Sequence, residues 1–203
     1  MKRFFRAFVM ALGMFSSLPC PSHLWDEDAR DLMLVCLPLL GALIGLIWSL
    51  LAMLGRAFLP EALAAALIAA LPFLLTGFIH LDGFMDTSDA ILSWRPLQKR
   101  LEILKDSHTG SFAVVNLGLI LMFGFAAAMG RFDLRALCLV PVISRCGSAL
   151  CVMSLSPIGH SEYTHLKTGI AQRVAVGAMW LITMIAAILW LKTAAIALLS
   201  RFI

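Results

Sequence analysis

Leu32-Met33-Leu34-Val35-Cys36-Leu37-Pro38-Leu39-Leu40-Gly41-Ala42-Leu43-Ile44-Gly45-Leu46-Ile47-Trp48-Ser49-Leu50-Leu51-Ala52-Met53-Leu54 contains no charged side chain. As a helix rising 1.5 Å per residue it is long enough to cross the ~30 Å hydrocarbon of a bilayer. Similar apolar stretches lie at about 61–79, 112–130, 134–155 and 174–191. With 61% hydrophobic and 14% charged residues and a mean hydropathy of +0.94, the composition excludes a soluble domain of 203 residues. The expected fold is an all-α polytopic membrane helix bundle of about five spans, forming a single integral membrane domain over 1–203. Segment 4–18 is also apolar but short, follows Lys2 and Arg3, contains Arg6 and ends at Leu18-Pro19-Cys20-Pro21. It lacks the small-residue cleavage pattern of a signal peptide and is expected as a retained half-helix or surface helix, with a sixth span as the alternative.

Charge orients the bundle. Placing residues 80–111 in the cytoplasm, with segment 4–18 not crossing, gives that side ten basic residues, Lys2, Arg3, Arg6, Arg30, Arg95, Lys99, Arg100, Lys105, Lys167 and Arg173. The other side receives five, Arg56, Arg131, Arg135, Lys192 and Arg201, with Arg145 inside a span and the C-terminus outside. Gly41 and Gly45 form a G-x-x-x-G, whose usual meaning is close helix packing. Trp94, at the border of the charged loop, is the best candidate for an interface anchor. Cys20, Cys36, Cys138, Cys146 and Cys151 contain no C-x-x-C pair and read as small hydrophobes.

Chemistry concentrates after the second apolar stretch, in His80-Leu81-Asp82-Gly83-Phe84-Met85-Asp86-Thr87-Ser88-Asp89. If this run is helical, offsets of four and three residues put Asp82, Asp86 and Asp89 on one face, where they repel unless a cation sits among them. Hard oxygen ligands favour Mg²⁺ or Mn²⁺, and Mg²⁺ is commonly held by a few carboxylates together with substrate phosphates. Next comes Arg100-Leu101-Glu102-Ile103-Leu104-Lys105-Asp106-Ser107-His108-Thr109-Gly110. Helical spacing would put Glu102 and Asp106 on a shared face, while Lys105, His108 and the Ser107–Gly110 turn could meet an anion. Taken alone this segment also reads as a solvated surface helix. Beside the aspartates, it supplies what phosphoryl transfer needs: metal, cations and a held nucleophile.

Together these runs resemble cobalamin synthase, the adenosylcobinamide-GDP ribazoletransferase family. The resemblance rests on His80-Leu81-Asp82-Gly83, Asp86-Thr87, Asp89, Arg100, Leu101-Glu102-Ile103, Lys105-Asp106-Ser107 and Gly110. Further similarity lies in Phe8, Ala11-Leu12, Phe15, Leu18-Pro19-Cys20-Pro21, Pro38-Leu39, Gly41, Gly45, Thr76-Gly77-Phe78 and Ser144-Arg145, covering roughly residues 5–160. It implies a multi-pass enzyme of the bacterial inner membrane, requiring Mg²⁺, that joins adenosylcobinamide-GDP to α-ribazole or its 5′-phosphate and releases GMP. Asp82, Asp86 and Asp89 would hold Mg²⁺ against the diphosphate, and Glu102 and Asp106 would be further ligands or the base. Arg100, Lys105, Ser107, His108 and Gly110 would meet phosphate. Arg145 would do the same or pair with an aspartate. His80 would orient an aspartate, act as a base or sit hydrogen-bonded at the interface.

Membrane lipid is an expected partner, association as an oligomer or with other cobalamin-assembly enzymes is compatible with the resemblance, and nucleic acid is not expected. The chain departs from the family pattern at Ala90 in place of Gly, at Ser111–Ala113, which lacks a second Gly, and at Ser17 in place of Arg. It also ends at Arg201-Phe202-Ile203 where relatives continue into a Gly-rich stretch bearing T-G-D, so weakened activity or an inactive homologue is one expectation. Two other readings stand beside it: a Mg²⁺-dependent membrane transferase for another diphosphate substrate, and a membrane cation transporter. A transporter would place its carboxylates mid-span, whereas these follow the apolar stretch and lead into a charged loop.

Overall fold

The computed structural model describes residues 2–21, 24–130, 133–156 and 168–199. Arg131, Lys167, Arg201 and the terminal Phe202 and Ile203, which entered the charge balance or the comparison with relatives, lie outside the described residues. Eight α-helices follow one another among them: α1 (Lys2–Phe15), α2 (Arg30–Phe58), α3 (Glu61–Leu75), α4 (Ile79–Leu92), α5 (Leu97–Ile103), α6 (Ser111–Met129), α7 (Leu139–Ser154) and α8 (Ile170–Leu199). Short 3₁₀ turns at Glu27–Ala29 and Leu134–Cys138 lead into α2 and α7, and the described residues contain no strand. Four stretches, Glu27–Phe58, Ser111–Met129, Leu134–Ser154 and Ile170–Trp190, are long and apolar enough to cross a membrane. The pair α3 and α4 makes a fifth when the two are taken as one broken span. The chain is a multi-pass helical membrane protein, and α1, at 14 residues, is shorter than the candidate spans.

Two compact units share the chain. The first comprises Met1–Met14, Pro19–Leu50 and Asp133–Ile203, the second Phe15–Leu18 and Leu51–Phe132. In the first, α7 packs against α8. Its α1 buries Ala7, Val9, Met10 and Ala11. Arg3 reaches Asp31 at 2.7 Å and Arg6 reaches Asp26 at 2.8 Å, fixing the start of α1 to the entry of α2.

The G-x-x-x-G of α2 has the meaning its spacing suggests. A Cβ on Gly41 would lie 2.7 Å from the Pro141 carbonyl oxygen, and one on Gly45 would lie 2.5 Å from that of Cys138. Backbone therefore meets backbone where no side chain fits, and the Ser49 hydroxyl closes the next turn by donating to the Leu134 carbonyl at 2.9 Å. Gly45→Val should destabilise the protein by about 1–3 kcal/mol, because the atom it strikes is backbone and cannot rotate away. A lowered thermal unfolding midpoint in detergent checks this, and an unchanged midpoint would refute the close packing.

In the second unit, α6 packs against both α3 and α4. Arg56 donates to the Ala128 and Gly130 carbonyls at 2.9 and 2.7 Å and so closes the C-terminal end of α6. The apolar stretch expected at 61–79 stops as a helix at Leu75, and α4 leaves at 90° to α3. The cause lies in the residues between. Gly77 adopts φ 59°, and the Gly77 and Phe78 amides donate to Leu74 and Phe73 at 3.2 and 3.0 Å, the two bonds of a Schellman stop. Thr76 reinforces it by donating its hydroxyl to the Pro72 carbonyl at 2.8 Å. Phe78 is itself left-handed at φ 62°, an uncommon conformation for a bulky residue, and from it α4 begins in its new direction.

Candidate active site

Helix α4 carries the three aspartates as its sequence spacing requires. The stripe continues one turn further than the carboxylates, since Ser93 lies four residues after Asp89 on the same face. Asp82 and Asp86 are exposed, whereas Asp89 is 9% exposed. The difference comes from what covers the last turn. Asp89 accepts the Gly110 amide at 2.7 Å and the Ala113 amide at 2.9 Å. Gly110, the N-cap residue of α6, has no side chain with which to cap it. The carboxylate of α4 thus satisfies two amides at the start of α6 and sits at the positive end of its dipole.

Gly110 is needed for this approach. A Cβ there would fall 2.5 Å from Asp89 Oδ1 and 2.8 Å from Oδ2.

Sharing a face is not the same as converging. Seven residues separate Asp82 from Asp89, which is about 10 Å along a helix axis. Among the described residues no three His, Cys, Asp or Glu side chains come together closely enough to hold a metal ion. The arrangement does fit Mg²⁺ in its usual mode, in which one or two carboxylates share the ion with substrate phosphates. Asp82 and Asp86, adjacent by one turn and exposed, are the pair available for that. Asp89 is occupied with backbone amides.

A cleft of about 500 Å³ opens at the covered end of the stripe. Asp89 and Ser93 line it from α4, and Arg95, Ile103, Asp106, His108, Thr109 and Gly110 continue around it. Here the geometry corrects one expectation. Glu102 and Asp106 do not share a helical face, because α5 ends at Ile103. The Lys105 and Asp106 amides bond three residues back, to Glu102 and Ile103 at 3.1 Å, tightening the last turn. Asp106 Oδ1 then accepts the His108 amide at 3.0 Å and meets His108 Nδ1 at 2.6 Å, a local side-chain turn that competes with helix continuation.

Glu102 instead pairs with Lys99 at 2.7 Å on the exposed side of α5. Arg100 donates Nε to the Arg95 carbonyl at 2.7 Å. Arg100, Lys105 and Ser107 are not among the cleft-lining residues, while His108 and Gly110 are. His80 stacks on Phe15 with ring centroids 6.3 Å apart and planes 8° from parallel. Arg145 belongs to the first unit, on α7.

The Asp106 carboxylate raises the His108 pKa above its ordinary 6.5, first through their hydrogen bond and then through its charge. His108 in turn holds Asp106 below the usual carboxylate range. The sign follows directly. The ion pair is complete below the ordinary histidine value and is lost as pH rises through the raised value of His108, and at the acid end it is lost as Asp106 protonates. An NMR titration should therefore place the His108 midpoint above 6.5, and Asp106→Asn should return it toward that value. A midpoint indifferent to the substitution would show that the two side chains do not meet in solution.

Arg95 and Ser93 are cleft residues that the sequence reading did not single out. Ser93 was detectable as the continuation of the aspartate stripe. Arg95 follows Trp94, which is left-handed at φ 51° and 82% exposed; Pro96 marks the end of α4, but nothing in the local sequence signals the left-handed conformation of Trp94.

Residues 7–203 match the family model described as cobalamin-5-phosphate synthase. Over 167 residues the chain is 40% identical to the adenosylcobinamide-GDP ribazoletransferase of Clostridium perfringens (strain SM101 / Type A), covering 80% of this chain and 66% of the relative. It is 39% identical over 150 residues to the protein of that name from Clostridium botulinum (strain Eklund 17B / Type B), covering 71% and 60%. With that of Carboxydothermus hydrogenoformans it shares 36% over 159 residues, covering 76% and 62%. The matched region thus spans less than two thirds of these relatives' lengths. No solved structure matches the chain.

Proposed function

This chain belongs to the cobalamin-5-phosphate synthase family, and from that premise we propose that it transfers α-ribazole, or α-ribazole 5′-phosphate, onto adenosylcobinamide-GDP with release of GMP. The product is adenosylcobalamin or its 5′-phosphate. The observation that carries the reading is the exposed Asp82–Asp86 pair on α4, leading along one helix face into the Arg95–His108 cleft.

The reaction forms one bond and breaks one. The ribose 3′-hydroxyl oxygen of α-ribazole attacks the phosphorus on the cobinamide side of the diphosphate. The bond from that phosphorus to the bridging oxygen breaks, and GMP departs with the oxygen. Asp82 and Asp86 hold Mg²⁺, which supplies charge neutralisation at the diphosphate when bound. Arg95 and the His108 imidazolium, kept charged by Asp106, contact phosphate oxygens. Asp106 Oδ2, which accepts no hydrogen bond among the described residues, receives the hydroxyl proton. Asp89 fixes α4 to the start of α6, so that the open carboxylates and the cleft keep their register.

The working environment is the bacterial inner membrane, with the α4 face on the cytoplasmic side, as the excess of basic residues there supports. The test is to supply the chain in lipid nanodiscs with both substrates and to follow products by mass spectrometry. The proposal expects GMP and the cobalamin product in equal amounts, and only when both substrates are present. GMP release without α-ribazole, or no transfer by well-folded protein at saturating Mg²⁺, would refute it.

A further inference from the structure

Arg145 lies near the middle of the candidate span Leu134–Ser154 and is 8% exposed. Its neighbours on the buried face of α7 are Val142, Cys146, Ala149 and Met153, none of which can accept a strong hydrogen bond. Arg145 Nε is buried without a hydrogen-bond partner, and no ion pair or hydrogen bond engages the guanidinium among the described residues. Such a position is costly, because a desolvated charge is tolerated only when something returns the lost hydration.

The other groups of this unit do not supply it. Its described carboxylates lie at 26–31 and at 133. Asp26, Glu27, Asp31 and Asp133 are already held by Arg6, Arg30, Arg3 and Arg135, and no ion pair among the described residues joins the fifth, Asp28, to Arg145. One turn before Arg145, the backbone of α7 is pressed against Gly41 of α2, which leaves no side chain from that direction.

We propose that Arg145 is an anion-binding position inside the first unit, built to receive a phosphate group. Arginine suits that role, since its planar fork meets two oxygens at once and it stays charged when desolvated. The choice of phosphate over carboxylate rests on the proposed function, whose substrates carry a diphosphate. The inference that an anion must come to Arg145 stands on its burial and missing partner alone. Among the described residues Arg145 Nε therefore lacks an acceptor, which the ligand would supply.

The test uses the full chain in an uncharged detergent with EDTA present, and reads the thermal unfolding midpoint against added pyrophosphate. Wild-type protein should gain stability as pyrophosphate rises. Arg145→Met should weaken the apparent pyrophosphate affinity at least tenfold, while its midpoint without anion equals or exceeds that of wild type. Arg145→Lys should fall between the two. Affinities within twofold of wild type in both variants would overturn the proposal. So would a midpoint lowered several degrees by Arg145→Met and restored by Arg145→Lys, the pattern of an arginine paired within the chain. If Arg145→Met does not fold, equal affinity in Arg145→Lys overturns the proposal by itself.

Nanodiscs separate the sources of phosphate. A pyrophosphate effect in pure phosphatidylcholine assigns it to a soluble ligand. Phosphatidylglycerol that raises the wild-type midpoint but not that of Arg145→Met assigns it to a lipid headgroup, and indifference to both overturns the proposal. Because none of these readouts needs turnover, failure here is distinguishable from failure of ribazole transfer.

Discussion

Asp82→Asn is expected to lower ribazole transfer by a factor of about 10²–10³ while the protein remains folded in the membrane, because on the proposed mechanism it removes one of the two carboxylates that would hold Mg²⁺ against the diphosphate. Folding should tolerate the change. Asp82 is exposed, none of the described contacts of α4 runs through its carboxylate, and neutralising it lessens repulsion with Asp86 one turn away. Asp86→Asn should behave alike. Paired measurements decide it: initial rates of GMP release at saturating substrates, and the thermal midpoint of the same preparations. Unchanged turnover in both variants would remove the α4 face from the mechanism. A fall in turnover accompanied by an equal fall in stability would mark Asp82 as structural.

Asp89→Ala should show the opposite balance. It strips acceptors from the Gly110 and Ala113 amides and removes the carboxylate from the positive end of α6. One of these amides is buried and the other partly buried, so the loss is expected to be about 2–4 kcal/mol. Asp89→Asn, which keeps one acceptor oxygen, should lose roughly half of that. Hydrogen exchange supplies the local readout, with the Ala113 amide losing protection first. If the Ala113 amide remains protected in Asp89→Ala, the clamp between α4 and α6 is not what holds this turn.

These contrasting expectations for two aspartates of one motif show how far the sequence could be read. The 3.6-residue period placed Asp82, Asp86 and Asp89 on one face correctly, because periodicity is a local property of helix. It could not say which of them would remain open, since that depends on Gly110 and Ala113, more than twenty residues away and brought over the last turn by α6. The Gly41 and Gly45 pair was legible for a related reason: small residues one turn apart have meaning in a membrane whatever the partner helix.

The 90° departure of α4 was not legible, although Thr76-Gly77-Phe78 stood in plain view. Gly77 signals a helix stop, but the new direction is set by a left-handed Phe78, and aromatic residues do not advertise that conformation. Helical spacing likewise misplaced Asp106. The side chain of an aspartate can satisfy nearby amides itself, and the bonds to His108 compete with the helix that would have aligned Asp106 with Glu102.

The central claim is that Asp82 and Asp86, and not Asp89, hold the metal beside the substrate diphosphate. Electron paramagnetic resonance of Mn²⁺ tests it most directly, titrating the ion into protein in nanodiscs with adenosylcobinamide-GDP present. Wild-type protein should take up the ion in a substrate-dependent manner, Asp82→Asn and Asp86→Asn should lose most of that binding, and Asp89→Asn should retain it. Equal Mn²⁺ occupancy in wild type and the Asp82→Asn, Asp86→Asn double variant would contradict the account.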